Sequence, residues 1–144
     1  MEESKAKILI AEDELLVAMD IKLKLEKIGY EVTSLVSSAL EVITRVEIEK
    51  PDLVLMDIQL SGSLTGIEAA NIISYKNKLP IIFLTTPQNE HLIAETKTRI
   101  DHEHLMKPLS EPQLESTVEK VLNNFRTKTE LTGNKTTRPT SYLY

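Results

Sequence analysis

Asp52-Leu53-Val54-Leu55-Met56-Asp57 constrains this chain more than any other stretch. Introduced by Pro51, an unbroken apolar run stops on a carboxylate, and the loop behind it carries Ser61, Gly62, Ser63 and Gly66. A short apolar run between turn signals reads as a strand buried on both faces, the kind found in parallel sheets. An acid at the carboxyl end of such a strand sits where open α/β sheets bind ligands. Asp57 is therefore the first candidate for chemistry, as a nucleophile that accepts a phosphoryl group.

The rest of the chain repeats this plan. Lys7-Ile8-Leu9-Ile10-Ala11 is a second strand-like run and ends on Glu12-Asp13-Glu14. Leu15, Leu16, Met19, Leu23 and Ile28, widened by Ala18 and Leu25, mark an apolar helical face that Gly29 terminates. Glu31–Val36 reads as a strand. Ser38 with Glu41 forms a capping-box pattern before a helix whose apolar positions are Ala39, Leu40, Ile43, Val46 and Ile48.

Beyond the Asp57 loop, Gly66 to about Lys76 reads as helix, with Ile67, Ala70, Ile72 and Ile73 inside. Leu79–Thr86 is a further apolar run ending in hydroxyls, Gln88–Arg99 a weakly patterned fourth helix, and His104–Met106 a short fifth strand followed by Lys107-Pro108. Ser110 with Gln113 caps a last helix carrying Leu114, Val118, Val121, Leu122 and Phe125. Strands and helices alternating five times call for an α/β fold, a doubly wound five-stranded parallel sheet covered on both faces.

Residues 1–125 are thus expected to form one domain. Residues 126–144 hold seven Ser or Thr, with Leu131, Tyr142, Leu143 and Tyr144 as their apolar content. Such a segment cannot build a core, and a flexible C-terminal tail is expected. Its four basic residues against one acid leave the body more acidic than the chain's overall charge of −5. An acidic body argues against direct DNA binding and suits a divalent cation. The chain has no cysteine, which excludes thiolate metal sites and a disulfide framework. Without an apolar run of about 18 residues or a secretory signal, a cytoplasmic protein with no membrane partner is expected.

In a parallel sheet the carboxyl ends of all strands share one rim. That rim gathers Glu12 and Asp13, then Asp57, then Thr85, then Lys107. Each has a bland explanation alone. Acids favour the start of a helix, aspartate forms turns, threonine suits strands, and lysine is usually solvated. Together at one edge they match the needs of one reaction.

Carboxylates crowded in a cleft need a counter-charge. Mg²⁺ prefers oxygen ligands and tolerates several waters, so Glu12, Asp13, Asp57 and the backbone carbonyl of Gln59 form a candidate set. Lys107 supplies a compact positive charge to a phosphoryl oxygen, and the Thr85 hydroxyl a further donor. Asp57 in line with a phosphoryl donor would form an acyl phosphate.

Ile8–Glu14, Leu53–Asp57, Gly66-Ile67-Glu68, Pro80–Thr85 and Lys107-Pro108 together resemble the receiver domain of two-component response regulators, over roughly residues 5–125. The resemblance implies a flavodoxin-like strand order 2-1-3-4-5. It implies Asp57 as phosphoacceptor, Glu12 and Asp13 as metal-binding acids, Thr85 as the switch hydroxyl and Lys107 as the family's lysine. A histidine kinase would be the donor, and the face built by helix 4, strand 5 and helix 5 would contact a downstream protein. Homodimerisation is left open.

Some positions depart from the family pattern. His104 stands where the family usually has Tyr or Phe that swings inward with the switch hydroxyl. The loop after Asp57 lacks the usual Pro and is slightly longer. Thr86 replaces a smaller residue, and Arg99–Glu103 lacks the usual Gly.

The expected function is a phosphorylatable signalling switch, not an enzyme acting on other substrates. One alternative is a phosphorelay intermediate that passes its phosphoryl group to a phosphotransfer histidine. Another is a small metal-dependent aspartyl-phosphate phosphatase. Such phosphatases commonly carry a second acid two residues after the nucleophile, where this chain has Gln59.

Overall fold

The computed structural model describes residues 6–96 and 102–135. Five strands form one parallel sheet: β1 (Lys7–Ala11), β2 (Glu31–Val36), β3 (Leu53–Asp57), β4 (Ile81–Thr85) and β5 (His102–Met106). Their spatial order is β2-β1-β3-β4-β5, the doubly wound order expected, with β3 at the centre. Between them run α1 (Leu15–Ile28), α2 (Ala39–Glu49) and α3 (Gly66–Lys76), and α4 (Glu111–Lys135) closes the chain.

Alternation along the inner strands builds two cores. Ile8 and Ile10 of β1, Leu53 and Leu55 of β3, and Ile82 and Leu84 of β4 face α1 and α4. Leu9, Ala11, Val54, Met56, Ile81 and Phe83 face α2 and α3. The three inner strands therefore read as continuous apolar runs, because both of their faces are covered. Apart from Ala11, burying each of these side chains contributes roughly 1.5–3 kcal/mol before the entropy of ordering is charged against it. The two cores fix the sheet rigidly and place the carboxyl ends of β1, β3 and β4 side by side.

Helix ends follow their local chemistry. The Ser38 side chain accepts from the Glu41 amide. Thr65 and Glu68 form a full capping box at α3, and Ser110 Oγ accepts from the Gln113 amide. Gly29 ends α1 in the left-handed conformation at φ 116°.

The structure corrects several sequence expectations. The sheet face of α1 is Ala18, Ile21 and Leu25, flanked by Val17 and Ile28. Leu15, Leu16, Met19 and Leu23 point to solvent instead, with Leu16 82% exposed. In α2 the buried residues are Ala39, Val42 and Val46, while Leu40 and Ile48 are exposed. In α3, Ala69, Ala70 and Ile73 are buried and Ile72 is partly exposed.

Two elements also differ in kind or extent. Pro87–Thr96 is a 3-10 segment rather than an α-helix. It opens on Pro87 and has little apolar periodicity to hold an α-helical turn against the sheet. Residues 97–99 of the expected fourth helix lie outside the described residues.

The last helix continues to Lys135, so the first ten residues of the expected tail, 126–135, are helical. Once a helix is nucleated by packing, each added residue gains a backbone hydrogen bond at little cost. Arg126, Lys128, Glu130 and Leu131 are good helix formers. Residues 136–144 lie outside the described residues. Among the described residues, no helix is long and apolar enough to cross a membrane.

Candidate functional site: an acidic cluster at the sheet edge

The turn after β1 presents Glu12 and Asp13, and the last residue of β3 is Asp57. One carboxylate oxygen from each lies within 4.8 Å of the others. Glu12 and Asp57 are buried, whereas Asp13 is exposed. The Glu12 amide donates to the Val36 carbonyl at 2.9 Å, which ties the end of β1 to the end of β2.

Lys107, directly after β5, spans the cluster. Its Nζ lies 2.8 Å from Asp57 Oδ2 and 2.9 Å from Glu12 Oε1. The second oxygen of each acid accepts a backbone N–H, Gln59 to Asp57 Oδ1 at 2.9 Å and Glu14 to Glu12 Oε2 at 3.0 Å. Both buried carboxylates are therefore satisfied on both oxygens, as burial of a charged group requires. The Lys107 amide donates to the Thr85 carbonyl at 2.7 Å, which anchors the lysine to the end of β4.

Electrostatics within the cluster are uneven. Burial pushes the Glu12 carboxyl above the ordinary carboxylate range, and the Asp57 charge adds to this, against the hydrogen bonds from Lys107 and Glu14. At Lys107, burial disfavours the charge, but the hydrogen bonds and charges of Asp57 and Glu12 outweigh it and carry the ammonium pKa above the usual lysine value. The Lys107–Glu12 bond favours the charged form of both partners. It prevails at the lysine, while at the nearly inaccessible Glu12 burial prevails.

The structure brings Glu12, Asp13, Asp57 and Lys107 together as the sequence reading expected. Gln59 lies beside Asp57 through its N–H. Thr85 is buried at the end of β4, with its hydroxyl donating to the Thr86 carbonyl at 3.2 Å. Asp57 pairs in register with Leu84, so Thr85 stands one residue past that rung on the neighbouring strand. His104 is exposed on the edge strand β5, opposite Phe83 of β4.

Two residues that sequence reasoning did not assign to the site also take part. Ser61 Oγ donates to Asp13 Oδ2 at 3.1 Å, across 48 positions of sequence. Gly66 packs so closely that a Cβ there would lie 2.2 Å from the Asp57 carbonyl oxygen. Its amide also donates to the Ile58 carbonyl at 3.0 Å. The Ser-Gly run marked a turn, but nothing in it signalled which acid the serine would meet.

Three carboxylates against one ammonium leave an excess of negative charge, and every acid donor is a hard oxygen. This fits Mg²⁺, which binds through one or two carboxylates and keeps waters in its remaining positions. Glu12, Asp13 and Asp57 are the side chains that could hold it, and the exposure of Asp13 leaves a path for solvent.

A five-stranded parallel sheet in the order β2-β1-β3-β4-β5, with buried acids and a bridging lysine at its carboxyl edge, defines a flavodoxin-like α/β domain. Within that class, residues 8–119 match the family described as the response regulator receiver domain. The chain belongs to that family.

It is 34% identical over 131 residues to the transcriptional regulatory protein PdtaR of Mycobacterium tuberculosis, covering 91% of this chain and 63% of that protein. The chain thus spans less than two thirds of that curated relative's length.

Solved structures agree. The signal receiver domain of a modulated diguanylate cyclase from Desulfovibrio desulfuricans superposes with a TM-score of 0.80 at 29% identity, over 85% of this chain and 98% of that one. The response regulator PhyR from Brucella abortus superposes with a TM-score of 0.79 at 31% identity, over 91% of this chain and 53% of that one.

Proposed function

We propose that this receiver domain is a phosphorylation-controlled switch in which Asp57 accepts a phosphoryl group from a histidine kinase. The observation that carries the reading is the Asp57 carboxylate fixed at the sheet edge by Lys107 and the Gln59 amide, within reach of two further acids. An Asp57 oxygen attacks phosphorus, the new O–P bond forms, and the P–N bond to the donor imidazole breaks with its electron pair passing to nitrogen. Bound Mg²⁺ would supply charge neutralisation for the incoming phosphoryl oxygens.

The protein's own groups do the positioning. Lys107 already bears on the oxygen that is phosphorylated or lies beside it, so its charge follows the phosphoryl group without reorganisation. Thr85 exchanges the Thr86 carbonyl for a phosphoryl oxygen. That turn of a buried side chain on β4 loosens the space beside β5, where His104 takes the place of the family's swinging aromatic. The altered surface, formed by the 3-10 segment, β5 and α4, is read by a downstream protein.

The donor approaches from the other side of the cleft. Leu15, Leu16, Met19 and Leu23 form an exposed apolar stripe that begins two residues after Asp13. Leu15, Met19 and Leu23 follow one another four residues apart, and Leu16, three residues before Met19, flanks that row. A kinase helix presenting its phosphohistidine to Asp57 would seat on this stripe. The pathway is cytoplasmic in this reading, and the domain acts on no other substrate.

The test uses a purified histidine kinase labelled with ³²P-phosphate at its histidine. Stoichiometric transfer that is lost in Asp57→Asn supports the switch. Multiple turnovers on a phosphomonoester such as p-nitrophenyl phosphate would instead identify a phosphatase. Onward transfer to a phosphotransfer histidine protein would identify a relay.

A further inference from the structure

The three acids of the cluster are not held alike. Glu12 and Asp57 are buried, and each is fixed by Lys107 and by a backbone amide. Asp13 is exposed, and Lys107 bridges the other two acids. The contact that ties Asp13 to the opposite wall of the cleft is the Ser61 hydroxyl on its Oδ2. An exposed aspartate in water samples several rotamers, and a ligand that must be ordered on binding weakens the site by the entropy lost.

Ser61 is itself held by the fold. Its backbone forms a parallel bridge with Ser38, immediately before α2, which ties the β3–α3 loop to the end of β2. Gly62 then adopts φ 101°, a left-handed conformation that favours glycine although a side chain there would meet nothing within 4 Å. The turn at Gly62 and the bridge at Ser38 together set where the hydroxyl points.

We propose that Ser61 is a positioning residue for the divalent cation. Its hydroxyl occupies Asp13 Oδ2 and leaves Oδ1 free to ligate beside Glu12 and Asp57. Hydrogen bonds to ligating carboxylates from outside the coordination sphere fix their orientation, and losing one typically costs about 10–100-fold in metal affinity. The exposure of this pair to solvent places the expected effect near the lower end. The inference rests on the reading that the cluster holds Mg²⁺, and the experiment separates the two.

Isothermal titration of the full chain with MgCl₂ is compared for wild type, Ser61→Ala and Ser61→Thr. Urea denaturation in EDTA follows the fold of each. Wild type binds one Mg²⁺. Ser61→Ala binds about 10-fold more weakly, with unchanged stability in EDTA because the side chain is exposed and the bridge to Ser38 is made by backbone. Ser61→Thr keeps the hydroxyl and binds within about 2-fold of wild type. Equal or tighter binding by Ser61→Ala overturns the positioning role while leaving the metal site intact. A parallel loss in Ser61→Thr also overturns it, because the hydroxyl would then not be the acting group. No binding by wild type overturns the metal reading itself.

Discussion

Lys107 Nζ and Asp57 Oδ2, fifty residues apart in the chain, lie 2.8 Å from each other at the carboxyl edge of the sheet. Asp57 ends the central strand and Lys107 follows an edge strand, with β4 between them. The pair exists because parallel strands put all their carboxyl ends on one rim. Lys107 also reaches Glu12, so one ammonium serves two buried acids.

Removing that ammonium leaves two buried carboxylates facing each other. Lys107→Met should lower stability in EDTA by roughly 3 kcal/mol, the usual scale for breaking a buried pair from one side. Mg²⁺ should return part of the loss, since a cation restores the missing positive charge. Urea denaturation with and without MgCl₂ reads both effects. A variant as stable as wild type in EDTA would show that the pair contributes nothing.

Gly66 holds α3 against the phosphoacceptor strand. A Cβ at this position would sit 2.2 Å from the Asp57 carbonyl oxygen, which is backbone and cannot swing aside. Gly66→Ala should cost about 2 kcal/mol through forced displacement of either the helix or the strand end. It should also slow phosphorylation by shifting Asp57. Thermal unfolding and acetyl phosphate labelling check the two effects, and an unperturbed variant would contradict the close approach.

The rim is legible in the sequence because each of its residues ends or follows a recognisable strand, and β1 and β2 have the bounds read from the sequence. The buried faces of the helices were less legible. In α1 both Leu15, Met19, Leu23 and Ala18, Ile21, Leu25 have helical spacing, and the sequence reading merges them into one broad face that includes Ala18 and Leu25 but not Ile21. The sheet takes Ala18, Ile21 and Leu25 and leaves Leu15, Leu16, Met19 and Leu23 outside. Periodicity alone cannot choose between two apolar faces of one helix. The Ser61–Asp13 contact was illegible for another reason, since it depends on a loop conformation set by Ser38 and Gly62.

That outward stripe makes a prediction about the donor. Leu16→Glu should leave stability unchanged, because the side chain is 82% exposed. It should slow transfer from the histidine kinase by about 10-fold or more, the effect of losing one central contact in an interface. Labelling by acetyl phosphate, which needs no docking, should be unaffected. Equal losses with both donors would place the defect in the site and not in the docking face.

Glu12 links stability to pH. Its carboxyl pKa is raised above the ordinary 4.5 by burial, so the folded protein binds this proton more tightly than the unfolded chain. The resulting stabilisation is full below the unfolded value and is lost as pH rises through the folded one. Glu12→Gln removes that loss. The unfolding free energy of the variant minus that of wild type should therefore increase as pH rises from 4.5 toward neutrality. Urea denaturation across that range measures it, and a flat or shrinking difference would contradict the buried, charged Glu12.

The most direct test of the account is the intact mass of the protein after incubation with acetyl phosphate and MgCl₂, run beside Asp57→Asn. The account predicts a gain of one phosphoryl group that requires Mg²⁺, is released by hydroxylamine and is absent from the variant. A phosphoryl group that persists in Asp57→Asn would contradict the assignment of Asp57. No gain with any phosphodonor, including a phosphorylated histidine kinase, would contradict the switch itself.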